Sequence, residues 1–338
     1  MNTNLQARAA KSGKHRSLRV AAGVLAVAIG LTACGGQRDS GSDPGSGGRL
    51  TIATGNTTGV YYILGGGLAK VISSDLDGYK ATAEATKASK ENVERVVAGQ
   101  NDVAFSLADT AADAAKGEHS FPSKQPIKAL LRIYDNTTQV VVRADSGISS
   151  VKDMKGKSVS TGSPNSGTEL IATRLLEAEG LTPSDIKQKK ASLPETVEGL
   201  KDGSIQGMFW SGGLPTGGVK DLFASQGNKV RFLDLSAQLP KLVDKYGDAY
   251  RAGAVPADAY GTPAETKTIV VANVLVVDEK MSDDLAQKLV TLIFEQQDEL
   301  VKIHPEAKNI KLDTAPKTGD IPLHPGSKAQ LEKLGASL

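Results

Sequence analysis

From Arg49 onward the chain alternates short apolar runs with longer segments of helical period. That alternation restricts it to the α/β class with largely parallel strands. Residues 50–54 read as a strand, and 61–74 as a helix that turns Ile63, Leu64, Leu68, Val71 and Ile72 inward. A second strand is expected over 79–85. Ser89 is placed to cap a helix carrying Val93, Val96 and Val97 on one face, which Gly99 stops. A short strand at 102–106 then leads into an alanine-rich helix ending at Lys116. A second series follows, with strands at 157–161, 205–210 and 230–235 and helices at 166–179 and 195–201. Two stretches stand apart as the most β-branched, QVVVR at 139–143 and TIVVANVLVV at 268–277. They are read as crossings between two lobes. Lobe I is then discontinuous, 49–138 plus 269–338, and lobe II is 139–268. A long helix over 282–303 follows the second crossing. With aromatics at 4%, the cores must be built from Val, Leu, Ile and Ala.

The first 33 residues have a different character. Arg8, Lys11, Lys14, Arg16 and Arg19 precede an apolar run at 20–33 that is too short for the ~20 residues of a bilayer span. This reads as an export signal, 1–33. It ends Leu31-Thr32-Ala33-Cys34, which resembles the lipobox of bacterial lipoproteins, where the cysteine is lipidated and becomes the new N-terminus. An ordinary secretory signal with an incidental cysteine is the alternative. Cys34 is the single cysteine, so an exported chain of this kind forms no internal disulfide. Residues 35–48, GGQRDSGSDPGSGG, cannot bury enough surface to fold. Together with Cys34 they are expected to tether the body to the bilayer with about 20 Å of reach.

The leader holds five of the 40 basic residues and none of the 38 acidic ones, so the remainder carries a slight acidic excess. Lys and Arg are scattered among Asp and Glu, which gives no nucleic-acid surface. His119, His304 and His324 show no i, i+4 or cysteine-partnered spacing, so neither a metal nor another cofactor is expected.

Three strand-to-helix turns share one design: 54–62 (TGNTTGVYY), 162–169 (GSPNSGTE) and 210–216 (WSGGLPT). A helix N-terminus presents unpaired N–H groups and partial positive charge, and so receives carboxylates or phosphates. Glycines let a ligand approach the backbone, and Thr57, Thr58, Ser166, Thr168 and Ser211 add hydroxyl donors. Ligands of open α/β sheets lie beyond the carboxyl ends of the strands, so turns from two lobes would face one cleft. Catalytic readings find little support. No G-x-x-x-x-G-K-[ST] or G-x-G-x-x-G occurs at these turns, and Ser166 is not in G-x-S-x-G. Asp109 and Glu169 could form an acid/base pair or simply face solvent at helix ends. Trp210 could stack on a ligand or pack in the second lobe.

The segments TGNTTGVYYILGG, ATKASKENVERVVAGQNDVAF, VVVRADSGISSVKDMKGKSV, GSPNSGTE, FWSGGLPT and IPLHPG resemble, in order and spacing, the TAXI family, the extracytoplasmic solute receptors of TRAP transporters. The resemblance runs from about Leu50 to the C-terminus. It implies a two-lobed periplasmic-binding-protein fold with a ligand cleft between the lobes, a monomer that closes over a small solute and docks on membrane permease subunits. Family members bind glutamate, glutamine or related carboxylates. Tyr61, Tyr62, Ser89, Asn92, Gln139, Ser166, Gly167, Thr168, Glu169 and Ser211 fall on family motif positions. Asn56 and Thr58 stand where glycine is frequent, Ile63 where proline is, and Leu107-Ala108 where a Gln-Ser pair usually precedes the aspartate, here Asp109. The expected role is binding of a small carboxylate, an acidic amino acid such as glutamate or a near relative or a related dicarboxylate, with Tyr61 and Tyr62 as walls, Ser166-Gly167-Thr168 on the carboxylate, and Asp109 or Glu169 open to an α-ammonium group. The alternatives are a hydrolase using Ser166 and a ligand input for a membrane sensor.

Overall fold

The structure, a computed structural model, describes residues 48–338. The export signal, Cys34 and the tether up to residue 47 lie outside the described residues. No helix among the described residues is long and apolar enough to cross a membrane.

The chain opens with β1 (Arg49–Ala53), α1 (Val60–Asp75), β2 (Lys80–Glu84), α2 (Ser89–Val97), β3 (Val103–Leu107) and α3 (Ala108–Lys116), with β1 parallel to both β2 and β3. It continues through β4 (Ile127–Arg143), β5 (Ser158–Ser160), α4 (Gly167–Ala178), β6 (Lys187–Lys189), α5 (Leu193–Asp202), β7 (Gly207–Gly212), α6 (Gly217–Gln226) and β8 (Val230–Phe232). Then come α7 (Leu239–Tyr246), β9 (Tyr250–Val255), α8 (Ala257–Tyr260), β10 (Thr266–Asp278), α9 (Asp283–Glu295), α10 (Gln297–Ile303) and α11 (Pro325–Lys333).

Among the described residues the strands form one sheet in the order β2-β1-β3-β10-β4-β7-β5-β6, with β8 on β4 and β9 on β10. The two long strands change neighbours along their length. β4 pairs with β10 from Ile127 to Thr137 and with β7 from Thr137 to Val142. β10 pairs with β9 over Thr266–Val271 and with β3 over Asn273–Val276. Register shifts at Ala272/Val274 and Leu275/Val276 bend β10 between these partners. One half of the sheet thus carries β1, β2 and β3, the other carries β5, β6 and β7, and two continuous strands run through both. Separate apolar cores cover them: Leu64, Ile72, Leu275 and Leu289 belong to one, and Val142, Ile171, Leu175 and Phe209 to another.

Several expectations need correction. β4 begins twelve residues before the β-branched run, because Lys128, Arg132, Asp135 and Asn136 interrupt its apolar pattern. Arg132 and Asp135 pair with each other at 2.7 Å. The helix expected over 282–303 is two helices that break at Gln296, where the Gln297 amide turns to donate to the Ala307 and Ile310 carbonyls. Ser89 does not cap α2. Ala88 holds that position, Ser89 is the first helical residue, and its hydroxyl accepts the Leu107 N–H. α5 starts two residues earlier than its apolar pattern, since Ser192 and Glu195 close a capping box. The strands β6 and β9 and the helices α6, α7, α8 and α11 add to the elements expected from the sequence.

Candidate functional site

The three glycine-rich turns line one cavity. Gly55, Asn56 and Gly59 come from the β1–α1 turn, Ser163, Ser166, Gly167 and Thr168 from the β5–α4 turn, and Trp210 through Gly213 from β7 and its exit. Ala88 and Ser89 at the start of α2, with Val60, Tyr61, Leu107, Tyr134 and Asn136, complete the wall. The space open to the centre of a water-sized sphere is about 30 Å³. One water needs roughly 10–15 Å³ on that measure, so the cavity suits a compact occupant.

No lysine, arginine, histidine, aspartate or glutamate is among the lining residues. Polarity comes instead from hydroxyls and from helix starts. Ser166 caps α4, its Oγ accepting the Glu169 N–H at 3.0 Å. The N–H groups of Gly167 and Thr168, in the first turn, have no intrahelical acceptor. Thr168 Oγ1 accepts the Ser211 N–H at 3.2 Å, which fastens α4 to β7 and leaves the hydroxyl proton for another acceptor. Glycine fits closely at 167, where a Cβ would lie 2.4 Å from Leu107 Cδ1 and 2.7 Å from Ser89 Oγ and those side chains would have to shift. This close approach sets the α4 N-terminus against the ends of β3 and α2.

A chain of side-chain amides backs the cavity. The Tyr61 hydroxyl donates to Asn273 Oδ1, and the Asn273 amide donates to Asn136 Oδ1 at 2.9 Å and to the Tyr134 carbonyl at 3.1 Å. Asn136 in turn donates to the Ser211 carbonyl at 3.3 Å. Burial keeps the Tyr61 phenol well above its ordinary range, so it stays a donor. Asn56 Oδ1 accepts from the Leu193 N–H at 2.9 Å and from the Ser163 hydroxyl at 3.4 Å, bridging the first turn to the second.

The model of the family described as NMT1-like matches residues 52–335. The chain belongs to the NMT1-like family. Among solved structures, a binding protein component of an ABC phosphonate transporter from Pseudomonas aeruginosa superposes with a TM-score of 0.54 at 14% identity, over 78% of this chain and 80% of that one. A protein from Bordetella bronchiseptica RB50 gives 0.51 at 18%, over 83% and 82%. The periplasmic aliphatic sulphonate binding protein SsuA from Escherichia coli gives 0.46 at 13%, over 84% and 82%. What this NMT1-like chain shares with the first two is the fold, the two-lobed α/β architecture of periplasmic binding proteins.

The cavity of this NMT1-like protein brings together Tyr61, Ser89, Ser166, Gly167, Thr168 and Ser211. Other residues expected at the site are elsewhere. Thr57 and Tyr62 are exposed and outside the lining. Thr58 is half-buried, outside the lining, with its Oγ1 enclosed and unpartnered. Asn92 clamps strand ends, donating to the Thr54 and Phe105 carbonyls at 2.7 and 2.8 Å and accepting from the Thr86 hydroxyl. Gln139 accepts from the Tyr260 hydroxyl at 2.6 Å and donates to the Gly212 carbonyl at 3.3 Å. Glu169 accepts the Asn165 N–H at 2.8 Å and pairs with Lys190 at 2.7 Å.

Asp109 is the largest correction. Its carboxylate accepts from Arg174 at 3.2 Å and from the Tyr250 hydroxyl at 2.6 Å, while Arg174 also reaches Asp113 at 2.7 Å. Burial by itself would lower the Arg174 pKa, and Tyr250, Asp109 and Asp113 outweigh it and hold it above the ordinary value. Asp109 is thus buried against Arg174 and Tyr250, and neither it nor Glu169 is among the residues lining the cavity. Asp113 also comes within 4.8 Å of Glu118 and His119 through its ligand-type atoms, but Arg174 already holds it and the other two are exposed. Trp210 packs in a core with Val141, Leu193 and Phe223, as one of its alternatives had it, and also lines the cavity. Sequence reasoning missed Tyr134, Asn136 and Arg174. For Arg174 a signal existed, since it is in register with Ile171 and Leu175 on the buried face of α4.

Proposed function

We propose that this NMT1-like protein is an extracytoplasmic solute receptor of a TRAP-type transporter, of the TAXI kind, that binds a small carboxylate and delivers it to membrane permease subunits. In this reading lobe I is 49–138 plus 269–338, lobe II is 139–268, and Cys34 carries the lipid that holds the protein at the membrane. The observation that carries it is the cavity itself, where all three glycine-rich turns meet hydroxyl donors and the α4 N-terminus with no ionised side chain among the lining residues. Such a lining stabilises an anion through N–H groups and partial helix charge rather than through a counter-ion. Binding is favoured over catalysis because Ser166 Oγ caps α4 and has no histidine or carboxylate beside it in the lining to act as base.

Titration calorimetry against amino acids, dicarboxylates and sugars tests the solute class. A carboxylate that binds saturably and compacts the protein in small-angle scattering is the expected result. Binding of sugars or other neutral solutes alone would sink the proposal. Mass spectrometry of the exported protein, with fractionation of Cys34→Ala, tests the anchor: the natural chain should carry diacylglycerol and the variant should leave the membrane.

A further inference from the structure

Two hydroxyls at the cavity have no hydrogen-bond partner within the described protein, Tyr134 Oη and Ser211 Oγ. Both side chains line the cavity and both are buried, at 1% and 7% exposure. Buried polar groups in native proteins nearly always find partners, and an orphaned donor is costly. Burial raises the Tyr134 phenol far above its ordinary range, so it stays a neutral donor. The backbone carbonyls of Tyr134 and Ser211 are already used by Asn273 and Asn136. What remains free at this wall is two hydroxyls, able to serve an oxygen.

A hydroxyl can also accept from an ammonium group, but a buried ammonium needs a compensating charge as well as acceptors. The carboxylates around the cavity are engaged elsewhere, Asp109 by Arg174 and Tyr250, Glu169 by Lys190 and the Asn165 N–H, and the buried Glu306 behind Gly213 by the Leu214 N–H and the Asn309 amide. No acidic side chain lines the cavity. Burying a cation there without a partner is unfavourable.

We infer that the ligand is a small carboxylate whose second polar group is a neutral oxygen, a 2-oxo or 2-hydroxy group received by Tyr134 and Ser211, and that it carries no ammonium group. This rests on the solute-receptor reading of the same cavity and narrows it.

The test is calorimetry with matched acids of three to five carbons, each in 2-oxo, 2-hydroxy, 2-amino and unsubstituted form, against the natural protein, Tyr134→Phe and Ser211→Ala. The best 2-oxo or 2-hydroxy acid should bind at least about tenfold tighter than its 2-amino counterpart, the cost of an unpaired buried group. Each variant should lose about fivefold to hundredfold for that acid and stay within about twofold for the unsubstituted one. Ligand-free Tyr134→Phe should melt no lower than the natural protein, because it removes an unpaired hydroxyl. A 2-amino acid that binds as well or better, or variants that lose all acids equally, overturns the inference and leaves the receptor reading standing. If no acid in the series binds and another solute class does, both fall. The natural protein decides the ligand preference by itself, whatever the folding of either variant.

Discussion

Replacing Arg174 by methionine, Arg174→Met, isolates the buried ion pairs that took Asp109 away from the ligand. The guanidinium is 3% exposed and serves carboxylates that are 1% and 9% exposed, with the Tyr246 ring centroid 4.1 Å from its Cζ. Methionine keeps much of the volume and removes the charge, leaving Asp109 and Asp113 facing each other without a cation. Breaking a buried pair in this way costs about 3–5 kcal/mol. For a chain of this size about 2 °C accompanies each kcal/mol, so the melting temperature should fall by roughly 6–10 °C. The deficit should also depend on pH. Burial holds Asp113 above its ordinary value even with Arg174 beside it. A carboxylate raised in the folded state contributes stability that is present below its unfolded pKa and lost as pH rises through the folded one. Loss of Arg174 moves the folded value further up and widens that window, so the variant should be closer to the natural protein at about pH 5 than at about pH 7.5. Urea unfolding and calorimetric melting at both pH values measure this. A loss under about 1 kcal/mol, equal at both, would show that the pairs do not hold the fold and would return Asp109 to the ligand.

Gly167→Ala should be overpacked by about 1–3 kcal/mol, read as a lower urea midpoint with an unchanged slope, because its Cβ would meet Leu107 and Ser89. The same variant should weaken ligand binding by displacing the α4 N-terminus, and binding at full strength would count against that helix end as the carboxylate site. Thr168→Ala should lose about 0.5–1.5 kcal/mol of stability with its Ser211 hydrogen bond and weaken binding by about 0.5–3 kcal/mol, measured by urea unfolding and calorimetry. Unaltered affinity would remove Thr168 from the site.

Local pattern was enough for the α/β class, for most strands and helices of the first hundred described residues, and for the three turns that meet at the cavity. Each of those features is written within a few neighbours: a helical apolar period, a Ser166 cap three residues before Glu169, a glycine where the backbone must come close. The β-branched run at 268–277 likewise announced β10. Where charged residues interrupt the pattern, as along the first part of β4, the signal disappears and only pairing with β10 holds the strand.

Side-chain roles were a different matter. Asp109, Asn92 and Gln139 are polar residues near cavity turns, and by sequence each could reach a ligand. Tertiary contacts decided otherwise, because Arg174 lies 65 positions from Asp109 and Tyr250 lies 141 away, while Tyr260 is 121 from Gln139. Tyr134 shows the reverse, an unremarked residue in an irregular strand that the fold leaves with an unpaired hydroxyl at the cavity. Sequence determines which groups can form hydrogen bonds, since that is a property of residue type. Which of those groups are already satisfied, and so which remain for a ligand, depends on partners brought close only when the chain has folded.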